Sequence, residues 1–306
     1  MNMDQRTKLY RSWMFVPGDR QKMLDKALGT VVDAMLMDIE DGVAPASKET
    51  SRRQIAETLK QLAPRLKADP SLRTPARYVR INAVGHERMH ADLEYVVTPG
   101  LEGLALPKVE TPEQVQLVEK ILDEREPKAG IPPGSVRLLI ALESPKGLFN
   151  AYAIATASPR VMGLMFGAED FSRELNLPFR REGEAVDLIY ARSSFVTAAA
   201  AAHVQSVDGV WPNFQDAEGL KKFALQSRRL GFSGMSLIHP SQIDLVNAAF
   251  TPTSDELDYC RRVVQAFDDA RARGEGAIAF GGQLLDMPIV DRARQMLALA
   301  EYLGAK

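Results

Sequence analysis

Carboxylates close several apolar runs in this sequence, and their chemistry is the first thing it offers. The stretch AMLMDIEDGV (34–43) runs into Asp38, Glu40 and Asp41 and stops at Gly42. VRLLIALES (136–144) ends with Glu143, and VMGLMFGAED (161–170) with Glu169 and Asp170. A buried strand does not end in several charges unless something there uses them. Oxygen ligands without His or Cys suit a hard cation, and Mg2+ takes one or two carboxylates while keeping waters and substrate oxygens. Glu143 and Asp170, at the ends of consecutive runs, could converge on one such ion. ARYVRIN (76–82) adds Asn82 and Arg80, the only guanidinium of the set, which suits a carboxylate or a carbonyl oxygen that gains charge. A cation and an arginine facing one carbonyl are equipped to stabilise an enolate. No Ser or Cys nucleophile with a base is apparent. Lys108, in LALPKVE, is the one Schiff-base candidate, against a plainer reading as a rim or structural lysine.

These residues need a frame that gathers run ends. Eight short apolar runs read as strands: SWMFVPG (12–18), DAMLMDIED (33–41), ARYVRIN (76–82), GLALPKV (103–109), VRLLIALES (136–144), VMGLMFGAED (161–170), SVDGVWPNF (206–214) and GMSLIHP (234–240). Helical patterns lie between them, such as QKMLDKALG, KETSRRQIAETLKQLAPRL and DAEGLKKFALQSRRLG. TPEQ (111–114) starts one helix well, with Thr111 as N-cap and Pro112 at the first helical position. Such alternation predicts βα units and a parallel sheet, and eight units fit an α/β fold of the (β/α)8 TIM-barrel type. An open doubly wound sheet would show a glycine-rich turn after an early strand, whereas FVPGDRQKM offers one glycine. In a barrel the active site lies at the C-terminal strand ends. That gathers Asp38, Glu40, Asp41, Arg80, Asn82, Lys108, Glu143, Glu169, Asp170, Asn213 and His239 on one rim. Residues 1–250 are expected to form the barrel. Residues 251–306 exceed one closing helix and read as a C-terminal helical extension: a helix, the loop or hairpin AIAFGGQLLDMPIV, and an amphipathic helix.

Composition removes other classes. Hydrophobic residues make up 45% and charged residues 25%, an ordinary globular balance, and the formal net charge of −2 with scattered Lys and Arg gives no stripe for nucleic acid or an anionic membrane. The single cysteine, Cys260, excludes a disulfide framework or Cys-rich metal centre within one chain and reads as a helix-face residue; the four histidines are not read as a metal site. MNMDQRTKLYRSWMF lacks the apolar run of a signal peptide, and no segment is long and uncharged enough for a bilayer, so a cytoplasmic enzyme is expected.

Taken in order, FVPGDR, MDIEDGV, YVRIN, LPKVE, ALESPKGL, FGAEDF, IHPSQI and LLDMP resemble the citrate lyase β-subunit-like family of the HpcH/HpaI aldolase superfamily, with its citryl-, citramalyl- and malyl-CoA lyases. The resemblance runs from about Arg11 to Leu303. It implies a (β/α)8 barrel with a C-terminal extension, assembly as a homotrimer or larger homo-oligomer, Mg2+ as cofactor and a coenzyme A thioester as substrate. It implies Glu143 and Asp170 as metal ligands, with Glu169 beside them, and Arg80 as the grip on the oxo acid. Asp286 of LLDMP becomes the catalytic acid/base, delivered by a neighbouring subunit's extension; on the residues alone it also reads as a helix N-cap, and Glu143 as a cap before SPKG. Arg20 and Lys26 are candidates for the CoA phosphates. Glu40 and Asp41 become groups that hydrogen-bond metal waters or orient Arg80 at the substrate, and Asp38 a residue tying down the strand end. His239 reads as structural or CoA-proximal. VWPNFQD and FSRELNLPFRREGEAVD depart from the family wording and leave the acid open. The expected function is a Mg-dependent carbon–carbon lyase that cleaves or forms a 3-hydroxyacyl-CoA thioester such as a malyl-, citramalyl- or citryl-thioester. The alternatives are a malyl-CoA-type thioesterase and the citryl-ACP lyase β subunit of a citrate lyase complex, while a pyruvate–aldehyde aldolase fits the extension poorly.

Overall fold

In the computed structural model, residues 8–178, 185–274 and 276–305 are described. Each of the eight runs forms a strand: β1 Ser12–Pro17, β2 Ala34–Asp38, β3 Ala76–Arg80, β4 Gly103–Leu106, β5 Arg137–Leu142, β6 Val161–Phe166, β7 Gln205–Asp208 and β8 Gly234–Leu237. They pair in sequence order into a closed barrel, all neighbours parallel, with β8 returning to β1. The strands are covered on both faces, which is why they read as apolar runs rather than alternating ones.

The interior is filled by Leu36, Ala105, Leu139, Ala141, Met165 and Val207, with an aromatic group at the N-terminal strand ends. There Trp13 meets Tyr10 and Tyr78 edge to face at 5.2 and 4.9 Å. Gly103 is required beside them, because a Cβ would strike the Tyr78 ring and the Arg137 carbonyl.

Buried ion pairs pin the outer helices to the barrel. Arg160 joins Glu126 (2.7 Å) and Asp123 (2.6 Å) of the helix Pro112–Lys128. Arg192, of the helix Ile189–Ala201, pairs with Asp208 at the end of β7 (2.6 Å) and stacks over Phe223. Thr111 caps the helix Pro112–Lys128 in a capping box with Gln114. Among the described residues no helix is long and apolar enough to cross a membrane.

The chain divides into two compact units, Met3–Asn247 and Ala248–Lys306. The second contains the helix Ser254–Ala272, the hairpin strands Ile278–Phe280 and Gln283–Leu285, and the helix Met287–Leu303. Its own core joins Cys260, Val263, Phe267, Leu285, Val290 and Ala293, so Cys260 is a packed helix residue.

Candidate active site

The parallel register sets Asp38 and Arg80 side by side as the last residues of β2 and β3. Arg80 Nε and Nη2 donate to the two Asp38 oxygens at 2.7 Å each, and Nη1 lies 3.2 Å from Glu40 Oε2. The Phe15 ring supports the guanidinium at 4.7 Å. Burial alone would lower the Arg80 pKa, but the bonds to Asp38 and the charges of Asp38, Glu40 and Glu143 outweigh it and hold the group protonated. A guanidinium has five N–H donors, so these contacts leave one on each Nη for a ligand. Asp38 therefore does more than tie down a strand end. Its oxygens also accept from the Glu40 and Gly42 amides at 2.9 and 2.8 Å, building the turn and aiming Arg80 together.

Glu40 and Asp41 share a second cation. Lys108 Nζ lies 2.6 Å from Glu40 Oε1 and 2.7 Å from Asp41 Oδ2, and Glu40 Oε2 accepts the Asp41 amide. To reach them Lys108 adopts a left-handed backbone at φ 53, uncommon for a residue with a side chain. Burial works against the Lys108 charge, yet its bonds to Asp41 and Glu40 raise its pKa well above the usual lysine range. An amine held this firmly protonated is a poor Schiff-base nucleophile. For Asp41, burial is likewise outweighed by Lys108, and its pKa falls below the ordinary value.

Glu143 is different. It follows β5, is 6% exposed, and among the described residues nothing donates a hydrogen bond to its carboxylate. Ser144, not Glu143, caps the next helix, accepting from Gly147 N at 3.0 Å. A Cβ on Gly167 would collide with Glu143 Cγ, so the glycine makes room for the carboxyl. Burial pushes the Glu143 pKa up to about 8; Glu40 and Asp170 add to the rise, and Arg80 and Lys108 oppose it. Asp170, in the first turn of the helix Ala168–Glu174, is near enough to be felt there and pairs with Arg173 at 2.6 Å. Among the described residues no three His, Cys, Asp or Glu side chains form a metal cage. Two carboxylates, one of them buried and without a donor, fit a hard cation that keeps waters and substrate oxygens.

The remaining rim residues are engaged in structure. Asn82 donates to Asp92 through its amide and side chain (2.8 and 2.6 Å), and Asn213 Oδ1 accepts from Gln215 N. His239 caps the short turn Pro240–Gln242 and stacks on Phe214. HERMH (86–90) has the spelling of a zinc-binding helix, but the helix begins at Met89 and His86 accepts from Arg88 N in the preceding turn. Arg20, beside Asp19 at 3.6 Å, and Lys26, in the last turn of the helix Gln21–Leu28, are exposed. Asp286 belongs to the C-terminal unit and caps the helix Met287–Leu303, accepting from Ile289 N at 3.4 Å. Residues 179–184, within the segment FSRELNLPFRREGEAVD, lie outside the described residues.

Sequence reading missed two contributors. Phe15 looked like one more apolar strand residue. Lys48, the first residue of the helix Lys48–Ala68, donates to the Ile39 and Glu40 carbonyls at 2.6 and 2.5 Å, and nothing in KETSRRQ marks it.

Comparison with known proteins gives this arrangement relatives. The family model described as HpcH/HpaI aldolase/citrate lyase matches residues 11–240. The chain is 38% identical over 302 residues to the citrate lyase subunit beta of Escherichia coli K12, covering 99% of this chain and 97% of that one. It is 33% identical over 297 residues to a (3S)-malyl-CoA thioesterase of Cereibacter sphaeroides, covering 97% and 96%. Among solved structures it resembles CitE from Mycobacterium tuberculosis in complex with magnesium, acetoacetate and coenzyme A, at 30% identity and a TM-score of 0.77, covering 96% of this chain and 98% of that one.

Proposed function

The chain belongs to the HpcH/HpaI aldolase/citrate lyase family, and on that premise we propose that it is a Mg-dependent carbon–carbon lyase acting on a 3-hydroxyacyl-CoA thioester of the malyl, citramalyl or citryl type. The observation that carries this reading is a buried carboxyl, Glu143, to which no described residue donates, beside a rigidly held guanidinium, Arg80, that keeps N–H groups unused among the described residues. Glu143 and Asp170 are the residues that would hold Mg2+, which when bound supplies Lewis-acid polarisation of the oxo-acid carbonyl.

The chain's own residues divide the rest. The free N–H groups of Arg80 bind the oxo acid and meet the negative charge that develops on its carbonyl oxygen as the new bond forms. Asp38, Glu40 and Phe15 fix the guanidinium, so little reorganisation accompanies that charge. In the synthetic direction Asp286, from the extension of a neighbouring copy in a homotrimer or larger assembly, takes the α-proton of the acyl-CoA. The enolate carbon then attacks the carbonyl, and the resulting alkoxide takes up a proton from solvent. In cleavage a general base takes the hydroxyl proton, the carbonyl re-forms as the carbon–carbon bond breaks into the thioester enolate, and Asp286 returns the proton to the α-carbon. Arg20 and Lys26, exposed just after β1, are placed in this reading at the CoA phosphates.

Similarity to a (3S)-malyl-CoA thioesterase supports a second reading, in which the same rim directs water at the thioester carbonyl. Similarity to a citrate lyase subunit beta supports a third, with the thioester carried on acyl carrier protein. Incubation with Mg2+ and a panel of malyl-, methylmalyl-, citramalyl- and citryl-thioesters tests all three. An oxo acid plus acyl-CoA is the expected outcome, free CoA plus the intact hydroxy acid identifies hydrolysis, and turnover of the carrier-protein thioester alone identifies the subunit. No turnover of any of them refutes the proposal.

A further inference from the structure

Among the described residues, Lys48 carries a buried charge with no ion-pair partner at hydrogen-bond distance. It is 7% exposed, and among those residues its ammonium bonds only to two neutral acceptors, Ile39 O at 2.6 Å and Glu40 O at 2.5 Å. It also opens a helix, where the backbone dipole disfavours a cation. A lone buried ammonium is costly, and its bonds to neutral carbonyls repay only part of that cost. Nearby carboxylates offset some of the remainder: burial holds the Lys48 pKa below the usual lysine value, and Asp38, Glu40, Asp41 and Asp92 oppose that lowering only in part.

The two carbonyls it grips belong to the turn that follows β2. Ile39 N donates across to Arg80 O, Asp38 O accepts from Gly18 N, and Glu40 O also accepts from Val43 N. The same turn presents the Asp38 and Glu40 carboxylates to Arg80. We infer that Lys48 is a positioning residue: by clamping the Ile39 and Glu40 carbonyls, it fixes the turn whose carboxylates aim Arg80 at its ligand. Lys108 holds the same turn through the Glu40 and Asp41 side chains, so two lysines fasten it, one by its backbone and one by its carboxylates. Among the described residues Lys48 makes no hydrogen bond or ion pair with Glu143 or Asp170, and its effect falls on Arg80 rather than on cation binding.

That the ligand of Arg80 is an oxo acid rests on the proposed function; that Lys48 fixes the turn does not. The test uses the full chain and Lys48→Met, which keeps much of the volume and removes charge and donors. Amide exchange is read over residues 38–43, and calorimetry reads Mg2+ alone and pyruvate with saturating Mg2+. Exchange at the Glu40, Asp41 and Gly42 amides should accelerate and pyruvate affinity should fall roughly 10- to 100-fold, with Mg2+ affinity within about threefold of wild type. Lys48→Ala should regain pyruvate binding with propylammonium and not with propanol. This arm also serves if the methionine variant does not fold. Unchanged exchange in the turn overturns the inference. So does a parallel loss of Mg2+ and pyruvate binding with faster exchange throughout the helix Lys48–Ala68, the mark of a merely structural lysine. If the wild type binds no pyruvate, the proposed function fails, and the exchange measurement, which needs no ligand, still decides the role of Lys48.

Discussion

Cation binding at this rim should release a proton, because the carboxyl that would receive the ion holds one at neutral pH. Glu143 is 6% exposed and has no donor among the described residues, and burial pushes its pKa up to about 8. A cation needs the ionised form, so below pH 8 binding must first remove the proton. Affinity then weakens toward tenfold for each pH unit below the pKa, which is roughly 50-fold, or about 2.3 kcal/mol, between pH 8 and pH 6. Stability has the same origin. A carboxyl whose pKa rises on folding favours the folded state while protonated; that contribution is complete below the ordinary value of 4.5 and is lost as pH rises through about 8. The metal-free protein should therefore lose thermal stability between about pH 5 and 8, and added Mg2+ should restore it at the upper end. Titration calorimetry at pH 6.5 in two buffers of different ionisation enthalpy should show close to one proton released per Mg2+, falling toward none at pH 9. Glu143→Gln should bind Mg2+ weakly and without a pH slope. A flat Mg2+ affinity from pH 6 to 8.5 with no proton release would refute the assignment of Glu143 as the receiving carboxyl.

Three further outcomes are expected. Asp286→Asn keeps a residue that caps helices equally well; thermal denaturation and Mg2+ titration should match wild type while turnover falls by a factor on the order of 100 or more, and an active variant would end its acid/base role. Gly167→Ala drives a methyl group into Glu143 Cγ; its Mg2+ affinity should drop roughly 10- to 100-fold, read by calorimetry. Arg160→Met removes the cation paired with Glu126, buried on the helix Pro112–Lys128, and leaves it only the Gly134 and Val136 amides; urea denaturation should show a loss of about 3–5 kcal/mol with the metal site unaffected.

The barrel was legible because each βα unit announces itself locally. Apolar runs such as VMGLMF can only be strands buried on both faces, and TPEQ writes its own helix start. The rim was legible as a place, since the C-terminal strand ends collect the polar residues. What was not legible is who holds whom. Asp38 and Arg80 lie 42 positions apart, and only the β2–β3 register makes them a bidentate pair. Lys48 was hidden for the opposite reason, being close in sequence to its partners but bonded to backbone carbonyls that any residue type provides. The ambiguity over Glu143 as a helix cap was resolved by Ser144, one residue on, which takes the cap. The ambiguity over Lys108 was resolved by the two carboxylates around it.

The aromatic group at the N-terminal strand ends has a kinetic consequence. Tyr10, Trp13 and Tyr78 close that end of the barrel, and the interior above them is filled, so traffic to the rim passes through one mouth. A cation held by the buried Glu143 would then have to come from the rim side, where an organic ligand bound to Arg80 would cover it. The expected outcome is that a chelator added to the loaded enzyme strips the ion no faster than the organic ligand leaves.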